Sequence, residues 1–208
     1  MAGLSAPTAP APAGRPSLVR ADLARLLKLA GPVVLARLGI MTMGLMDAIV
    51  VGRFSAEQLG FHALAWAPTS VVLTMAIGLL TGVQVMTARA VGEGRRQESG
   101  AVLRRGMVYG AWIGIASAVA LAILGPLGLP RMGLEASLAN GAVVPVIVFA
   151  LSLPTYVLSC VASFWLEGLS RPGPATVAMW LANIVNLAFL LLLVPGAFGL
   201  PALGAVGA

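Results

Sequence analysis

LKLAGPVVLARLGIMTMGLMDAIVV, Leu27 to Val51, is the stretch whose reading decides the fold. It is apolar almost throughout. At ~1.5 Å per residue a helix over it reaches roughly 37 Å, enough to cross ~30 Å of hydrocarbon. Two full charges lie inside it, Arg37 and Asp47. A charge at the centre of such a helix costs ~2.5–3.5 kcal/mol on insertion scales. A membrane helix that keeps a carboxylate gives it a protein partner, a water-filled cavity or a bound cation, so Asp47 is the first functional candidate. The plainer alternative is an interfacial carboxylate pairing with Arg53, about 9 Å further along the helix.

The rest of the chain extends the membrane reading. Hydrophobic residues make up 59% of the sequence and charged residues 10%, against ~25% charged in ordinary soluble domains. Mean hydropathy is +0.98. The net charge of +6 comes from basic residues between apolar runs, an arrangement that fits membrane topology and not nucleic-acid binding. Cys160 and His62 are the single cysteine and histidine. One of each excludes an internal disulfide and a histidine metal cluster. No nucleophile–base pair and no H-E-x-x-H stands out, so an enzyme is not expected. Gly92-Glu93-Gly94-Arg95 is a weak glycine motif with no strand before it, so no nucleotide site is expected either.

Outward from the opening span, residues 1–21 are Ala/Pro-rich and are expected to form a flexible cytoplasmic tail; residues 22–208 form the membrane unit. Ser55 and Gln58 fit a capping box at the start of a second span, Gly60 to Ala88. Gly78, Gly82 and Ala88 are expected to allow close helix contact there. Span three, Gly106 to Leu127, carries Gly110, Gly114 and Ala118 on one stripe. Span four is Gly141 to Leu166, with Pro145 and Pro154 as kinks. Span five is Ala175 to Val194, and LGAVGA at the end reads as the start of a sixth. The expected fold is therefore all-α: a polytopic helix bundle with five full spans. Stopping there reads as the front piece of a longer protein or a truncated copy.

Arg15, Arg20, Arg25, Lys28, Arg89, Arg95, Arg96, Arg104, Arg105 and Arg171 fall on one side of the bundle, and only Arg53 and Arg131 on the other. Positive charge stays inside, so the N-terminus is expected in the cytoplasm, with the protein multi-pass in the cell (inner) membrane.

Several segments, in order, resemble the multidrug and toxin extrusion (MATE) family of cation-coupled efflux transporters. They are AGPVVLARLGIMTMGLMDAIVVGRFSAEQLG, GLLTGVQVMTARAVGEGRRQESGAVLRRG, Glu167-Gly168-Leu169 with Pro172, Asn183-x-x-Asn186, and the closing GLPALGAVGA. The resemblance covers roughly residues 23 to 208. It implies twelve helices in two lobes around a cavity, of which this chain supplies most of the first. It also implies export of cationic or amphipathic compounds in exchange for H⁺ or Na⁺, with no cofactor besides that ion. On this likeness Asp47 matches the acidic residue of helix 1 linked to cation coupling, and Asn183 and Asn186 match polar residues of helix 5. Arg37, Arg89 and Leu190 depart from the family's pattern, which often has Gln, Gln and Asn there.

Asn183 and Asn186 share one face of span five. Their amides can share a proton with Asp47 or ligate Na⁺; plain helix–helix hydrogen bonding is the competing reading. Arg37, Gln84 and Tyr156 are candidates to line a cavity, with ordinary packing the alternative for the last two. Arg37 is expected to pair with a carboxylate on a helix outside these residues or to reach the cytoplasmic surface. Glu167 is read as a turn-stabilising charge beside Arg171. The expected partners are a small cationic or amphipathic substrate, the bilayer and a second lobe. Two other functions remain open: a lipid-linked sugar flippase of the same superfamily, and a fragment that transports nothing alone.

Overall fold

The computed structural model describes residues 15–133, 135–196, 199 and 201–208. Among them lie six α-helices: α1 Arg15–Phe54, α2 Ala56–Gly92, α3 Ser99–Gly128, α4 Ala136–Gly141, α5 Val143–Gly168 and α6 Gly173–Leu193. Five stretches are long and apolar enough to cross a membrane: Leu26–Phe54, Ala56–Gly92, Arg96–Arg131, Ala136–Gly168 and Gly173–Leu193. The short α4 leads into α5 within the fourth of these. Pro145 falls in the first turn of α5, one turn after the break at Ala142 that separates α4 from α5. Helix α1 begins at Arg15, inside the stretch expected to be a tail; residues 1–14 lie outside the described residues.

Packing divides the helices into a trio, α2, α3 and α5, and a pair, α1 and α6. Glycines on α3 make the tightest seam. A Cβ on Gly110 would lie 2.7 Å from Val161 Cγ2, and one on Gly114 only 2.8 Å from the backbone Cα of Pro154. Hydrogen at these positions lets the two helices touch, as small residues do in lipid, where there is no hydrophobic drive between helices. The expected contacts of Gly78 and Gly82 are not made: a Cβ on either meets nothing within 4 Å. Helix α2 instead buries Ala76, Leu80, Val83, Thr87 and Ala90. Gly78 and Gly82 are rotated to the other side of that face, and Ala88 is exposed.

Helices α1 and α6 run parallel. The Thr176 hydroxyl donates to the Pro32 carbonyl at 2.7 Å, Gly39 abuts Met179 and Asn183, and Val51 is buried with Leu190 and Val194. Ascending positions on α1 thus meet ascending positions on α6.

The two inter-helix turns beyond α2 and α5 close in the same way. After α2, the Gly94 N–H donates to Val91 and the Arg95 N–H to Ala90, with Gly94 at φ +75. After α5, the Ser170 N–H donates to Glu167 and the Arg171 N–H to Leu166, with Ser170 at φ 57. Both are Schellman motifs, which satisfy the last helix carbonyls through one left-handed residue. At the start of α2, Ser55 Oγ accepts from the Gln58 N–H at 3.4 Å, so half of the capping box forms. Gln58 does not reach back. Its Oε1 accepts from the Ala205 N–H at 2.8 Å, an otherwise unpaired donor of the closing segment. That segment makes a single 3-10 turn, Gly204–Val206, where a sixth span was expected to start. It is tied back by the Leu203 and Gly204 N–H groups donating to Leu193 and Val194.

Candidate functional site

Helix α1 carries two polar positions at different depths, and each is answered by a different neighbour. Arg37 lies ten residues before Asp47, roughly 15 Å lower along the helix.

At the lower level, Arg37 Nη2 stands 3.8 Å from Glu167 Oε1. Glu167 is a side chain only 9% exposed, whereas Arg37 is 48% exposed. Gln84 Nε2 of α2 donates to the other carboxylate oxygen, Oε2, at 3.1 Å. The guanidinium carbon lies 5.9 Å from the centre of the Phe164 ring, a cation–π distance. Tyr156 and Cys160 lie two turns and one turn, respectively, before Phe164 on α5. Three helices therefore converge on Glu167. This corrects two expectations. The carboxylate partner of Arg37 lies within this chain, and Glu167 turns toward α1 and α2 and not toward Arg171. The cause is the close docking of α5 on α2: a Cβ on Gly168 would lie 2.7 Å from Thr87 Cβ and 2.8 Å from the Gln84 carbonyl oxygen. That approach carries the last turn of α5 well inside the end of α2 and delivers Glu167 to the level of Arg37. Gln84 and Arg37 are thereby gathered at Glu167, and Tyr156 lies three turns earlier on the same helix.

At the upper level, Asp47 is half-buried and faces the side-chain amide of Asn186 on α6. Asp47 Oδ1 and Asn186 Oδ1 are both buried, and neither has a hydrogen-bond partner among the described residues. Asp47 makes no ion pair with Arg53 among those residues. Asn183 behaves differently from its neighbour. Its Nδ2 donates to the Met179 carbonyl of its own helix at 2.9 Å, and it packs beside Gly39. Of the expected trio, the structure joins Asp47 with Asn186 and leaves Asn183 nearer the level of Arg37. No group of three or more His, Cys, Asp or Glu able to hold a metal occurs among the described residues.

The residues missed by sequence reasoning are Glu167, as a partner of Arg37, and Phe164. Tyr156, Cys160, Phe164 and Glu167 recur at i, i+4, i+8 and i+11, one stripe of a helix. Read as a stripe and not singly, they would have pointed α5's aromatic and acidic groups toward a common neighbour.

A bundle of apolar membrane-length helices with polar side chains meeting inside it defines a multi-pass membrane protein. The MatE family model matches residues 32–192, and the chain belongs to that family, one of transporters and not enzymes. It is 65% identical over 189 residues to the "Probable multidrug resistance protein NorM" of Caulobacter vibrioides, covering 91% of this chain and 40% of that protein. It is 29% identical over 192 residues to the protein of the same description from Pseudomonas aeruginosa, covering 92% and 39%. The chain thus spans about two fifths of the length of these relatives. Among solved structures it superposes with TM-score 0.78 and 20% identity on one described as the outward-facing conformation of a multidrug resistance MATE family transporter of the MOP superfamily. A MOP superfamily transporter from Pyrococcus furiosus, whose binding pocket is described as having reverse polarity, superposes with TM-score 0.77 and 19% identity. Each likeness covers 88% of this chain and 40% of the other. At these identities the two structures bear on the fold alone.

Proposed function

We propose that this chain forms the first lobe of a cation-coupled antiporter that expels cationic or amphipathic compounds across the cell (inner) membrane. In this reading its N-terminus is cytoplasmic and a second lobe completes the cavity. The observation that carries the coupling role is the pair of buried oxygens, Asp47 Oδ1 and Asn186 Oδ1, that lack a partner among the described residues. A buried acceptor in a low-dielectric setting is costly unless something positive or a donor satisfies it. A proton on Asp47, donated toward the amide, does so. A Na⁺ ion held by the same oxygens does so equally. Exchange of that cation for substrate on the opposite side is the antiport step, and Asn183 below is the next polar group on the same helix face.

The family and the names of its relatives support efflux as the activity. Drug-sensitive cells expressing the chain are expected to accumulate less ethidium while energised, and Asp47→Asn is expected to abolish that protection. Protection by Asp47→Asn equal to wild type would end the coupling role. Reading the gene beyond codon 208 tests the two-lobe arrangement: further apolar spans support it.

A further inference from the structure

The two faces of α3 meet different surroundings at the start of the helix. Gly106, Gly110 and Gly114 are buried against α2 and α5. Arg105, Tyr109 and Trp112 recur at i, i+4 and i+7, one stripe of the helix, well round from those glycines. Tyr109 is 68% exposed and Trp112 70%, and Arg105 is exposed one turn before them. The Trp165 indole N–H donates to the Ser99 carbonyl at 2.9 Å and fixes this orientation at the foot of α3. No charge lies between Arg105 and Arg131. They stand roughly 39 Å apart along the span, against ~30 Å of hydrocarbon. Arg105 therefore lies at the level of lipid phosphates, with Tyr109 and Trp112 at and just inside the border. Helix side chains lean toward the N-terminus, so all three point back toward the headgroups.

The charge around this stripe is unbalanced. Five arginines and two glutamates lie between Arg89 and Arg105. Glu93 pairs with Arg89 and Arg95, and Glu98 pairs with Arg95. Arg96, Arg104 and Arg105 make no ion pair among the described residues, and all three are exposed. We propose that Arg105, Tyr109 and Trp112, with Arg104 at their edge, bind one anionic phospholipid on the outer face of α3. The guanidinium of Arg105 takes the phosphate, a charge-assisted contact. The Tyr109 hydroxyl donates to an oxygen of the glycerol esters, and the Trp112 ring packs on the upper acyl chain. A zwitterionic headgroup fits less well, because its ammonium meets three unpaired guanidiniums while both glutamates are already engaged.

The chain is placed in phosphatidylcholine nanodiscs with a small fraction of lipid brominated on the upper acyl chain, either phosphatidylglycerol or phosphatidylethanolamine. Bromine quenches tryptophan on contact, and subtracting the signal of Trp112→Phe isolates Trp112 from the other three indoles. Brominated phosphatidylglycerol is expected beside Trp112 at about five times its share of the mixture, the effect of one basic residue at a membrane surface. Phosphatidylethanolamine is expected only in proportion. Arg105→Gln removes the excess and Arg105→Lys keeps most of it, whereas Arg96→Gln, in the loop before the helix, leaves it in place. These positions are exposed, so circular dichroism should show unchanged helicity in every variant. Three results overturn the proposal: equal quenching by the two brominated lipids, an excess that survives Arg105→Gln, or an excess that Arg96→Gln lowers just as far. The last assigns the attraction to the diffuse positive charge of the loop. Both leaflets hold the same mixture, so an inverted topology in cells, or a chain that transports nothing, would leave the site standing.

Discussion

Ser170 shows how much one residue can hold against its own preference. It sits at φ 57 in the left-handed region, which costs a residue with a Cβ about 1–2 kcal/mol relative to its ordinary conformations. The turn requires that conformation to close the end of α5. Ser170→Gly is therefore expected to stabilise the protein, by up to about 1 kcal/mol, read as a higher midpoint of thermal unfolding in detergent. A lower midpoint would mean that the serine hydroxyl matters more than the backbone. Gly168, two residues earlier, predicts the reverse. Gly168→Ala places a methyl against the Gln84 carbonyl, which belongs to helix backbone and cannot swing away. A loss of about 1–3 kcal/mol follows from such overpacking, measured in the same unfolding experiment. Asp47 and Arg37 were legible in the sequence as charges that a membrane helix does not keep idly. Asn186 was already a candidate partner of Asp47, but Glu167 as the partner of Arg37 was not, because the parallel pairing of α1 with α6 and the docking of α5 on α2 bring these groups together. Sequence spacing within one helix cannot express either.

At the scale of elements, the α2–α3 connection is pinned by charge as well as by its glycine. Glu93 accepts from Arg89 at 2.8 Å and also pairs with Arg95, which in turn reaches Glu98. Hydrogen bonds from Arg89, then Arg95, hold the Glu93 carboxyl down from its ordinary 4.5 to about 2. The folded value lies below the unfolded one, so the contribution to the turn is full above pH 4.5 and is lost as pH falls toward 2. The carboxyl resonance of Glu93 is expected to titrate near 2. Because the group is fully exposed, added salt should move that midpoint upward. The existence and order of the five long helices and the α3 stripe were readable from apolar run lengths and from Gly110 and Gly114, whereas the ends of α1 and α3 were not. The contact face of α2 was not, since Gly78 and Gly82 offer the same small surface whether or not a helix arrives to use it.

For the whole molecule, the asymmetry of Arg and Lys predicts which ends face the cytoplasm. With Cys160 replaced by serine and a single cysteine placed at Gln97 or at Glu57, an impermeant maleimide applied to intact cells should label the Glu57 position and spare Gln97 until the cells are opened. The opposite pattern would invert the topology. Helices α1 and α6 touch at Gly39, about 3 Å along the axis from Arg37 and about 12 Å from Asp47 on the other side. A rod pressed against its neighbour at such a point is a lever with one short arm and one long arm. A tilt of about 10° about that fulcrum sweeps the acid by roughly 2 Å while the guanidinium shifts by about a quarter of that, in the opposite sense. The guanidinium stays nearly still while the carboxylate swings.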